Sequence, residues 1–225
     1  MDATTTRPRS ELRWVRPPRQ ARSQDTLDRI LDAAEALVAE KSFAEASVAE
    51  ISRRAGFSVG AFYSRFRDKH ALLHCLEERF LVEASATVEA ALDPARWVGA
   101  SIPQIAEEVI AFLVAMYRER FAILREFLGH SITDPEVGMR TERLVHTMCE
   151  RLSALLLPRA AEMSHPDPAT ATRFACRLLL GVLKEAVLFG AYGAYGVPRS
   201  DEKLSQELTR AFLGYLGVRA WSPVP

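Results

Sequence analysis

Two stretches of this chain set side chains at spacings that can do chemistry. The first runs from Ser47-Val-Ala-Glu50 through Arg53, Arg54, Gly56, Ser58, Tyr63 and Arg65 to Lys69. Hydroxyls, guanidinium groups, a phenol and an ammonium are the donors that hold phosphate oxygens and pair with base edges. The second is His70, His74 and Cys75, two imidazoles one helical turn apart with a thiol beside them, a spacing that can start a metal site. No partner is marked for its remaining ligands, and His146 with Cys149 at i and i+3 carries the same low weight. The expectation is therefore no metal and no cofactor. No glycine-rich phosphate loop, nucleophile elbow, zincin helix or cysteine-protease signature is present, so an enzyme is not expected.

The elements that must position the first group are short. Leu27, Ile30, Leu31, Ala34, Leu37 and Val38 fall on one helical face and predict a helix from about 24 to 40. Ser47 and Glu50 form a capping box that opens a second helix with Val48, Ile51 and Ala55 on its apolar face. Gly56 supplies the residue that takes positive φ at its end. Ser58 then caps a third helix whose Phe62 and Phe66, four apart, turn inward and leave Tyr63 exposed. Two short helices around a tight glycine turn are the sequence form of a helix-turn-helix. Asp68 caps a fourth helix that continues through Leu72, Leu76 and Phe80 to about Leu92.

The rest of the chain reads helical throughout: Pro103 to Met116, Arg118 to His130, Pro135 to Leu157, Pro168 to Ala191 and Asp201 to Leu216. No alternating period-two run or internal repeat appears, so the fold class is all-α. With 225 residues, 48% hydrophobic and 26% charged, the chain can bury a substantial core and is not a disordered polyelectrolyte. The longest apolar candidate, Leu178 to Val187, is broken by Lys184 and Glu185, which excludes a membrane span and leaves the cytoplasm as the expected location. Three widely spaced cysteines predict free thiols. Net charge is zero, but residues 1–70 carry +3 and the remainder −3. An offset of that size counts only where motifs agree with it.

At this point the residues resemble a known family. Ser47 to Lys69, with Leu72 after it, looks like the DNA-binding signature of TetR-family transcriptional regulators, and Ile30 to Ala34 with Phe43 resembles the start of the same domain. The likeness covers about residues 24 to 75; Ser52, where alanine is commoner, and a longer arm before the first helix depart from the pattern. Tyr63 and Lys69 read as clamps on the phosphate backbone, and Ser47 and Ser58 as caps whose neighbouring amides can also take a phosphate. Base reading falls to Val59, Gly60, Ala61, Ser64 and Arg65, with Arg65 the one side chain there able to pair with guanine. Arg53 and Arg54 end the second helix beside the groove, and Arg16, Arg19 and Arg22 recur every third position in an arm that can follow the backbone or enter the minor groove.

The predicted organisation is a flexible arm over 1–22, a helix-turn-helix domain over 23–70, a helical regulatory and dimerisation domain over 71–218 and a tail over 219–225. The resemblance implies a homodimer on a palindromic double-stranded operator, released by a small-molecule effector. Trp97, Phe112, Met116, Tyr117, Phe127, Met148 and Phe174 read as core by their spacing, and the resemblance implies that some of them line a ligand cavity between the later helices. Residues 174–196 are apolar over most of their circumference, as a central core helix would be or one packed also on a symmetry mate; the resemblance favours the second, a four-helix interface with the last helix through Leu180, Leu183, Val187, Leu208, Phe212 and Tyr215. The alternatives are a DNA-binding dimer without ligand control, or a helical small-molecule binder or enzyme with a vestigial helix-turn-helix.

Overall fold

A computed structural model describes residues 21–190, 192, 193 and 196–218, with side chains from residue 25 onward. The predicted arm with Arg19, and the tail, lie outside the described residues; Arg22 lies in the first helical turn, its side chain not among those described. The described residues are all-α: α1 (Ala21–Glu40), α2 (Val48–Ala55), α3 (Val59–Tyr63), α4 (Lys69–Ala91), α5 (Ile102–Glu119), α6 (Phe121–Thr133), α7 (Pro135–Leu156), α8 (Pro168–Phe189) and α9 (Asp201–Leu216). Two 3₁₀ turns, Pro94–Trp97 and Leu157–Glu162, were not anticipated from the sequence.

Local chemistry fixes these boundaries. Ser47, Ser58, Asp68, Ser101, Asp134, Asp167 and Ser200 each accept a backbone amide at the start of a helix, satisfying donors that have no intrahelical partner. Pro135 and Pro168 follow their caps in the first helical position, where a missing amide costs nothing. Gly56, Gly190 and Gly217 end α2, α8 and α9 in the left-handed region.

Two cores result. The first gathers Leu27, Ile30, Leu31 and Leu37 of α1, Ile51 of α2, Phe62 of α3, Phe66, and Leu72 to Leu76 of α4. It also takes Ile123 and Phe127 from α6, far along the chain. The second joins α5, α7, α8 and α9 through residues such as Ile105, Ile110, Leu152, Leu156, Leu183, Phe212 and Leu216. α4 therefore starts in the first core and ends against the second. Arg79 pins it to α1 by bridging Asp32 (2.7 Å) and Glu35 (2.6 Å). Cys75 is buried in the first core, Cys149 and Cys176 in the second, and none of the three forms a disulfide.

Candidate nucleic-acid interface and cavity

α2 and α3 are held at a sharp turn. Gly56 has φ +75°, a backbone conformation that favours glycine, and a Cβ at this position would also have to displace the Arg29 guanidinium 2.7 Å away. Its amide caps the carbonyls of Arg53 and Ser52, and Ser58 Oγ then accepts the Ala61 amide at 3.2 Å to start α3. Phe62 and Phe66 have no exposed surface and pack ring to ring at 5.0 Å, which anchors α3 from below. Above them Val59, Gly60, Tyr63 and Ser64 are exposed, with Ala61 partly so. This face of small side chains and one phenol lets a backbone approach a groove closely.

The charged groups around it are more occupied than their sequence positions suggest. Arg54 pairs with Glu40 at 2.6 Å, an exposed contact that a phosphate can replace at little cost. Arg65 folds back along α3, donating to Ala61 O and Ser64 Oγ, both at 3.3 Å. Lys69 donates to the Ala44 carbonyl at 2.9 Å and lies 4.7 Å over the Phe43 ring. Burial holds its ammonium below the ordinary lysine range. Lys69 thus stitches the α1–α2 link to the start of α4. The Asp68 carboxyl is held low by the Ala71 amide it accepts, and Glu50 is held at about 2 by the Lys41 ammonium and the Ser47 cap. Because α3 has only five residues and no independent stability, its cap matters. Ser58→Ala is expected to cost about 1 kcal/mol of stability and to weaken binding to any duplex; urea unfolding and a DNA titration check it.

Behind this unit lies a cavity of ≈ 690 Å³ between α4, α5, α6, α7 and α8. Its wall is mostly apolar and includes Phe112, Met116, Tyr117, Phe127 and Met148, five of the seven residues expected from the sequence. Trp97 and Phe174 are elsewhere. The Trp97 indole donates to Ala91 O at 2.8 Å and closes the end of α4, while the Phe174 ring lies on the outer surface 5.5 Å from that of Tyr215. Burial pushes the Tyr117 phenol up to about 12. Polar groups gather at the edges: Lys184 on α8, the Arg177–Glu142 pair, and Arg120 at 3.7 Å from both Glu35 and Glu83. A volume in this range, apolar with a few placed charges, suits a small organic ligand.

Two family models match this chain. "Bacterial regulatory proteins, tetR family" covers residues 30–76, and "Tetracyclin repressor-like, C-terminal domain" covers residues 101–216. The chain belongs to the TetR family. Solved structures agree on the fold. A protein described as a TetR-family transcriptional regulator from Mesorhizobium loti superposes with TM-score 0.69 at 20% identity, over 88% of this chain and 98% of that one. FadR of Bacillus subtilis, solved in complex with stearoyl-CoA, gives 0.61 at 17% identity over 84% and 98%. NalD, the secondary repressor of the MexAB-OprM multidrug efflux pump in Pseudomonas aeruginosa, gives 0.58 at 22% identity over 88% and 100%. No curated protein sequence matches the chain.

As a TetR-family protein the chain is a DNA-binding transcriptional regulator, with α2 and α3 as its helix-turn-helix. Leu180, Leu183, Val187, Leu208 and Phe212, the contacts expected with a second subunit, are at most 8% exposed within the single chain. Both α8 and α9 are apolar on more than one side, so periodicity did not separate the inward face from the outward one. The outward face of α8 carries Phe174, Leu178, Val182 and Phe189, between 38% and 75% exposed. Tyr215, the one remaining predicted contact, borders this stripe through Phe174. No helix among the described residues is long and apolar enough to cross a membrane.

Proposed function

We propose that this regulator is a homodimeric repressor that binds a palindromic operator through α3 and is released by a small apolar effector held between α4, α5, α6, α7 and α8. The observation that carries the reading is α6. Ile123 and Phe127 belong to the core of the DNA-binding unit, while Leu124, Phe127 and Leu128 line the cavity. In addition, the Glu126 carboxylate accepts the Phe43 amide at 3.2 Å. A ligand that moves α6 or α4 therefore moves the helix-turn-helix. Two recognition helices must stand about 34–36 Å apart to enter successive major grooves on one side of a duplex. A ligand with greater affinity for a conformation of different spacing shifts the population away from DNA.

Supporting contacts follow. Tyr63 and the amides beneath the Ser47 and Ser58 caps hold phosphate, Val59, Gly60 and Ala61 approach the bases, and Arg65 pairs with guanine once it leaves Ala61 O and Ser64 Oγ. Fluorescence anisotropy of duplex DNA from upstream of the protein's own gene, beside a scrambled duplex and at several salt concentrations, tests the reading. The expected result is preferential binding of one dimer per palindrome. Tyr63→Phe is expected to weaken binding to both duplexes alike by about 1 kcal/mol, the worth of one hydrogen bond. Arg65→Ala is expected to change the base preference instead. Equal weak binding to every duplex, including pools selected from random sequence, would remove the operator reading.

A further inference from the structure

Three of the chain's five histidines meet where α4, α6 and α7 converge. His74 lies in the second turn of α4, His130 near the end of α6, and Asp134 caps α7. The His74 and His130 rings are 5.1 Å apart, and exposed His70, one turn before His74, has its ring 6.5 Å from that of His130. Glu77 lies beneath them at 2% exposure. Its Oε1 is 2.6 Å from His130 Nδ1, and its Oε2, which makes no hydrogen bond to a described residue, is 3.6 Å from His74 Nδ1. The opposite ring edges share another carboxylate. Nε2 of His74 and Nε2 of His130 lie 3.6 and 3.9 Å from the same Asp134 Oδ2. Asp134 Oδ1 is already committed to the Glu136 and Val137 amides, which fixes where Oδ2 points.

We propose that His74 Nε2, His130 Nε2 and Asp134 Oδ2 bind one divalent first-row transition ion of the zinc class, with Glu77 as the buried carboxylate that orients the His130 imidazole. The 2.6 Å contact of His130 Nδ1 with Glu77 leaves that ring's lone pair on Nε2 when Nδ1 carries the proton, the tautomer a metal needs, and a carboxylate behind a ligating histidine is the usual way to set it. The three ligand atoms lie within 4.8 Å of one another. Ligands at about 2.0–2.1 Å from a tetrahedral ion stand about 3.3 Å apart, so a small contraction closes the triangle. Separations of 3.6 and 3.9 Å are beyond hydrogen-bond range, so protons alone do not bridge the Nε2 atoms to Asp134. Imidazole with carboxylate selects zinc-like ions over calcium or magnesium. Two carboxylates with two neutral rings balance a dication, and the charged pair of α7 that faces the cluster, Arg140 with Glu136 at 3.7 Å, cancels itself. The absence of a metal expected from the sequence drew on His70, His74 and Cys75. Cys75 is instead buried in the first core, and the ligands that complete His74 come from 56 and 60 residues further along.

The test is titration of the chelator-treated full chain with Co²⁺, read by its visible ligand-field bands, and competition with Zn²⁺. One equivalent per chain is expected, without the near-ultraviolet band of a cobalt thiolate. His130→Ala should raise the dissociation constant more than about 100-fold, since even an outer-shell partner such as Glu77, replaced by glutamine, is worth about 10–100-fold. Asp134→Asn keeps the helix cap and removes the ligand charge, so it tests the site should His130→Ala fail to fold. His146→Ala, an exposed histidine elsewhere on α7, should leave binding unchanged. No saturable binding, binding that Asp134→Asn leaves intact, or a thiolate band would overturn the assignment. None of these readouts involves DNA.

Discussion

Leu178→Glu is expected to yield a folded monomer with about 10²–10⁴-fold lower affinity for a two-site operator. Leu178 sits between Phe174 and Val182 on the outward stripe of α8 and is 48% exposed, so glutamate costs the single chain little. If the proposed dimer forms through this stripe with Leu178 at the two-fold axis, glutamate there would bring two carboxylates together out of water. Losing the second half-site removes the effective-concentration advantage of joined binding modules, which has the magnitude given. Sedimentation velocity reads the oligomeric state, circular dichroism the fold and anisotropy the affinity. A variant that remains a dimer would remove α8 from the interface, whereas a monomer with undiminished affinity would remove the need for two half-sites.

Phe62→Ala is expected to cost about 3–5 kcal/mol, the range for emptying a buried aromatic position. Phe62 has no exposed surface, packs on Phe66, and is the inward anchor of a five-residue helix. Its loss should melt α3 first and the rest of the first core with it, while α5, α7, α8 and α9, joined through their own core, persist. Hydrogen exchange should then show protection falling across α1 to α3 and remaining on α8. Denaturant unfolding gives the magnitude, and a cost below 1 kcal/mol would mean the site collapses to fill the space.

What the sequence made legible was local. The Ser47–Glu50 box, Gly56, the Ser58 cap and the Phe62–Phe66 spacing each act within four residues, so the helix-turn-helix could be read residue by residue. The starts of α5, α7, α8 and α9 carry a serine or aspartate cap, three of them with a proline just behind it, whereas α6 starts after Arg120 with no side-chain cap. Contacts between distant segments were not legible. Lys69 has the right side chain for DNA, but its carbonyl partner, Ala44, is 25 residues back and meets it only once the α1–α2 link lies beside α4. The outward face of α8 was hidden because its inward face is just as apolar. Glu77, buried beneath two imidazoles, gives no local signal at all: it reads as one more acidic residue of a helix until α6 is laid across it.

α6 also bears on how such a protein can be cut and rejoined. A hybrid sensor made by exchanging the first 70 residues for those of a relative would separate Ile51 and Phe62 from Ile123 and Phe127, and the Phe43 amide from Glu126. The foreign head would then rest on side chains shaped for another. The portable unit is not a continuous piece of chain: it is α1 to α4 together with three positions of α6, and a graft that carries 123, 126 and 127 with the head preserves the packing and the hydrogen bond that join the two halves.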